Sequence, residues 1–194
     1  MVSTCFYFQV HQPHRLRNYK VFDISKNHDY FDNQKNEEIC RKVADKCYLP
    51  TNKLMLKLIQ NSQRENNNLE SKGNNNNNNS NNNNHNNNNH NNNNHNNNNN
   101  NKEFKISYSI SGTAIDQFEE FTPKVIESFK HLADTGNVEF IAETYAHSLS
   151  ALKSKTEFHR QVKMHNEANV KHFGQKPTTF RNTELIYSDA IGEM

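Results

Sequence analysis

The chain has 194 residues, 32% of them hydrophobic, with 23 Lys+Arg against 21 Asp+Glu and a formal net charge of +2. That balance, with no basic face, gives no case for nucleic acid as a partner, and no apolar run approaches the length that spans a bilayer. An asparagine tract takes many residues out of any core and leaves roughly 150, enough for one modest domain.

Cys5, Cys40 and Cys47 form no CxxC pair and read as reduced thiols of a cytosolic protein. No basic n-region opens the chain and no signal-type h-region follows, so the expectation is a soluble, cytoplasmic protein.

The first element is Thr4 to Pro13, TCFYFQVHQP. Cys5 to Val10 are mostly aromatic, β-branched or apolar, which suits a strand buried on both faces in a parallel sheet. Pro13 ends it, because proline donates nothing to a ladder. His11 and Gln12 therefore stand at the strand's C-terminal end, where parallel α/β folds bind ligands.

His14 to Asn36 is long and polar, a candidate functional loop. Its Tyr19, Phe22, Tyr30 and Phe31 could stack on a sugar or anchor the loop to the rim. Glu37 to Tyr48 reads as a helix with Ile39, Val43, Ala44 and Cys47 on one stripe; Cys40 and Cys47 are expected to share a face. Pro50-Thr51 breaks it, and a second helix over about 52–63 turns Leu54, Met55, Leu58 and Ile59 inward.

The asparagine tract buries too little apolar surface to offset its ordering entropy, so 66–103 is expected to be a disordered insertion. His85, His90 and His95 recur within it, but nothing holds the imidazoles in a metal geometry; no metal or cofactor is expected. The tract should enter the sheet at the strands' N-terminal side, away from any chemistry.

Order resumes at Phe104 with a strand ending at Gly112. Ser111 or Thr113 caps a short helix, and Thr122-Pro123 opens another, with Val125, Ile126, Phe129 and Leu132 inward and Gly136 at its end. Asn137 to Ala142 is a third strand, apolar except for Glu139. A helix from about Thr156 stops at Gly174. Thr178 to Phe180 is a fourth strand, and Ser188-Asp189 starts a last helix.

This alternation argues an α/β fold with a parallel sheet. Polar residues at each strand end suggest the N-terminal portion of a barrel: 1–65, then the insertion 66–103, then its continuation 104–194. The ends carry His11-Gln12, Ser111-Gly112, Glu143-Tyr145-His147 and Arg181-Glu184. Carboxylates and a histidine converging at one mouth are the equipment of glycoside hydrolysis. Spacing alone leaves two plainer readings open: Glu139 paired with Arg181 inside the sheet, and Glu184 as a helix N-terminal charge.

Three stretches together resemble glycoside hydrolase family 57, its α-amylase-like branch: FYFQVHQP, GNVEFIAETYAHSL (Gly136 to Leu149) and FRNTELIY (Phe180 to Tyr187). The resemblance implies an incomplete (β/α)7 barrel, retaining chemistry and α-glucan or maltooligosaccharide substrates. By position it makes Glu184 the catalytic nucleophile. It puts His11, Gln12, Glu139, His147 and Arg181 in the substrate-binding pocket. The family's general acid, an aspartate on a later strand, has no counterpart among these residues. The expectation is an N-terminal fragment of the hydrolase, weak or inactive alone, with a complementing C-terminal chain as partner. The alternative is a non-catalytic carbohydrate-binding or interaction remnant. A deacetylase on a related barrel would need an Asp-containing ligand set beside His11 and His14, which the sequence does not offer.

Overall fold

The computed structural model describes residues 4–75 and 103–193; His85, His90, His95 and the rest of 76–102 lie outside the described residues. Three strands, β1 (Phe6–Val10), β2 (Ile106–Ile110) and β3 (Val138–Phe140), form a parallel sheet in the order β1-β2-β3. The predicted fourth strand shrinks to one parallel bridge, Ala142 to Phe180. Its two flanking bonds are Ala142 N–H to Thr179 O (2.8 Å) and Arg181 N–H to Ala142 O (2.9 Å).

Strand periodicity sends alternate side chains to opposite faces. Ile106, Tyr108, Ile110, Val138 and Phe140 face the helices and are buried. The register sets Tyr7 beside Ser107 and Glu139 on the other face, which is polar. β1 departs from the expectation of burial on both faces. Among the described residues it is an edge strand paired only with β2, and Phe6 is 46% exposed.

Helices α1 (Asn33–Val43) and α2 (Leu49–Asn75) are joined through a π-helical turn at Ala44–Tyr48. Asp32 caps α1 by accepting from the Lys35 N–H. Pro50 does not break the run. Leu49 N–H reaches back to Ala44 O, an i→i−5 bond, and the wider turn accommodates a residue with no N–H. The same turn shifts the helical register. Cys40 is therefore buried and Cys47 exposed, and α2 turns Asn52 and Ile59 inward while Leu54 and Leu58 stay exposed. α2 runs through Asn75, into the segment expected to be disordered, because extending a helix costs far less than starting one. Near the sheet's N-terminal edge, Gln63 donates to Thr135 O at 3.1 Å and Ser62 Oγ accepts from Phe104 N–H at 2.9 Å.

The later helices are α3 (Gly112–Phe121), α4 (Pro123–Ala133), α5 (Lys155–Phe173) and the short α6 (Asp189–Gly192). Ser154 caps α5 on Glu157 N–H, and Gly174 closes it in the left-handed region at φ 67°. Around Phe140 the core is a ring cluster: Phe173 stacks at 4.3 Å, with Phe129 edge-on at 6.3 Å. Among the described residues no helix is long and apolar enough to cross a membrane.

Candidate active site

The strand ends bring four side chains together. His147 lies between two carboxylates, with Nδ1 at 3.1 Å from Glu143 Oε2 and Nε2 at 3.2 Å from Glu184 Oε1. Each contact requires one hydrogen between its atoms. The His11 ring stacks on His147 at 4.4 Å and 28°, and its Nδ1 meets Ser111 Oγ at 2.8 Å. Burial, and then the neighbouring His147, hold the His11 pKa below the ordinary imidazole value. Gln9 Nε2 also reaches the His147 ring, 3.2 Å from Nδ1.

The local backbone explains how these groups meet. Among the described residues the non-glycine residues with positive φ are Ser25, His147 (52°) and Glu184 (55°). Two of them face each other across the site. Left-handed backbone at side chains of this size costs on the order of 1–3 kcal/mol each, and such strain clusters at functional sites. Glu184 lies inside a single 3₁₀ turn, Thr183–Leu185, and not at the start of a helix; α6 begins later, at Asp189. The dipole reading of Glu184 therefore falls away, and His147 is its hydrogen-bond partner. The Ser111 hydroxyl does not cap α3 because it is committed to His11 and Thr113.

Glu143, to which the family resemblance gives no role, joins the site through His147. Its side chain is 0% exposed, its Oε1 has no hydrogen-bond partner among the described residues, and its backbone N–H donates to His165 Nδ1 at 3.3 Å. A buried carboxylate oxygen without a partner is costly. The signal was available: Glu143 stands directly at the end of the third strand.

Other expected pocket residues stand elsewhere. Gln12 is buried and turned into the fold, donating to Tyr48 OH at 2.9 Å and accepting from Arg15 at 3.3 Å; its main-chain carbonyl accepts from Gln117 at 2.8 Å. It straps the end of β1 to the helices. Glu139 is on the correct face, but its register partner is Ser107, below the mouth. It accepts from Thr179 Oγ1 at 2.7 Å and Ser107 Oγ at 3.4 Å, and not from Arg181. Arg181 sits over the Tyr7 ring at 5.6 Å, and its Nε and Nη1 are buried without partners among the described residues. In the loop after β1, Tyr19 packs on Tyr30 and His14 on Phe31, while Phe22 is 80% exposed.

Carboxylates gathered at the strand ends of a parallel α/β sheet are groups that glycoside hydrolysis uses. The chain belongs to glycosyl hydrolase family 57, whose model matches residues 5–194. It is 36% identical over 195 residues to a putative alpha-amylase of Methanocaldococcus jannaschii, covering 97% of this chain and 32% of that relative. Its fold resembles the crystal structure of a 4-alpha-glucanotransferase from Thermococcus litoralis, with a TM-score of 0.55 at 13% identity over 97% of this chain and 20% of that one. The chain thus spans about a third of the length of the amylase-like relative.

Proposed function

We propose that the chain is the nucleophile-bearing portion of a retaining glycoside hydrolase acting on α-glucans or maltooligosaccharides. The observation that carries this reading is the Glu143–His147–Glu184 bridge beside His11. In the mechanism, ionised Glu184 attacks the anomeric carbon and forms a glycosyl ester as the bond to the leaving oxygen breaks. An acid protonates that oxygen; water then hydrolyses the ester and Glu184 returns as carboxylate. His147, through its 3.2 Å contact from Nε2, keeps Glu184 oriented before attack.

The acid is the part these residues do not supply. In this reading further polypeptide, homologous to the other two thirds of the amylase-like relative, completes a (β/α)7 barrel and brings an aspartate. The names of the relatives, an alpha-amylase and a 4-alpha-glucanotransferase, support α-linked glucan as the substrate class. The cysteines, unpaired among the described residues, fit a reducing cytoplasm.

The test compares the chain alone with the chain supplemented by that complement, on starch and maltoheptaose. Losing the proton donor costs about 100- to 10,000-fold, so the chain alone should show little or no turnover and the complement should raise it by that margin. Efficient starch turnover by the chain alone, abolished by Glu184→Gln, would place the acid within these residues. Binding of maltoheptaose by the complemented protein, without turnover, would leave only a carbohydrate-binding role.

A further inference from the structure

His165 lies outside the site, on α5, and is fully buried. Its Nε2 is 2.8 Å from Ile110 O, at the end of β2. A carbonyl can only accept, so Nε2 carries the hydrogen. Nδ1 lies 3.3 Å from Glu143 N–H and 3.0 Å from Asn169 Nδ2, both donors. It is therefore the bare, accepting nitrogen of a neutral ring. Burial favours that neutral form.

The two anchored peptides are the ones that matter. Ile110 leads into Ser111, which holds His11. Glu143 holds His147, and through it Glu184. We propose that His165, as its Nε2-protonated tautomer, is a positioning residue whose Nδ1 fixes the Glu143 peptide and so aligns the Glu143–His147–Glu184 bridge. Tertiary geometry supplies this role: α5 reaches across to the strand ends with an acceptor at the one height where Glu143 N–H has no strand partner.

The proposal rests on the glycan-binding reading only for its affinity arm. The full chain is measured by ¹⁵N NMR of the histidine rings, hydrogen exchange of the Glu143 amide, and maltoheptaose affinity. The wild-type His165 spectrum should show the Nε2–H tautomer. His165→Asn places an amide oxygen near the Nδ1 position, and should keep Glu143 amide protection and sugar affinity close to wild type. His165→Gln keeps a donor toward Ile110 but no acceptor for Glu143. It should expose that amide to exchange and weaken maltoheptaose binding by roughly tenfold. An Nδ1–H tautomer, or equal Glu143 exchange in the two variants, overturns the proposal. If the wild type does not bind maltoheptaose, the glycan reading fails, and the tautomer and exchange arms still decide the role of His165.

Discussion

Replacing Glu184 by alanine removes nearly all turnover of the completed enzyme and leaves the fold intact. The side chain is 66% exposed, and its polar contact among the described residues is the 3.2 Å one to His147, so its loss opens no core cavity. Alanine at φ 55° keeps the left-handed cost already present in the wild type. Chemistry suffers instead, because no other ionised oxygen stands where Glu184 does. Azide should enter the vacated space, attack the anomeric carbon directly and restore part of the rate with inverted anomeric configuration. Glu139→Ala should lower activity without azide rescue, since Glu139 accepts from Thr179 and Ser107 below the mouth. Rescue of the Glu139 variant and not of the Glu184 variant would exchange the two roles. Kinetics with product analysis by NMR reads all of these outcomes.

Phe140→Ala is expected to bring the protein close to unfolding. Its ring is 1% exposed and lies against Phe173, Tyr108 and Phe129 at 4.3, 6.2 and 6.3 Å. Truncating a buried phenylalanine costs about 3–5 kcal/mol, a large share of the ~5–15 kcal/mol that holds a typical domain together. Urea unfolding followed by circular dichroism should show a midpoint lowered to match, with an unchanged slope. Phe22→Ala, at a ring 80% exposed, should leave that midpoint where it is. A loss below about 1 kcal/mol for Phe140→Ala would mean that the ring cluster is not the centre of the core.

The elements were legible where local chemistry decides them. Thr122-Pro123, Gly136 and Gly174 punctuate helices where their backbone preferences demand it, and Ile106, Tyr108 and Ile110 put their apolar side chains on one face of β2. Pro50 was misleading because its cost depends on the turn before it, and a π turn is not written in local propensity. The exposure of β1 was hidden for a related reason: composition shows an apolar strand but not which neighbours it lacks.

For the site, His11, His147 and Glu184 were legible as polar residues at strand ends. The choice of Glu139 over Glu143 marks where reading stopped. Both have the same parity along the third strand, so periodicity assigns them one face. Height along that face is set by the register with β2, where Glu139 falls opposite Ser107 and Glu143 beyond the last paired residue. The inward turn of Gln12 is hidden from the sequence for the same reason. Its partners, the half-buried Tyr48 and the buried Gln117, come from helices far along the chain.

The account stands most directly on which carboxylate attacks. A 5-fluoro-α-glucosyl fluoride tests this on the present chain and on the completed protein, because fluoride departs without a proton donor and the ring fluorine slows hydrolysis of the ester. The trapped protein is digested and the labelled residue located by mass spectrometry. The account predicts the sugar on Glu184, in the peptide containing Arg181-Asn182-Thr183-Glu184, and no label in the Glu184→Gln variant. A sugar ester on Glu143 or Glu139, or labelling that persists without the Glu184 carboxylate, would contradict it.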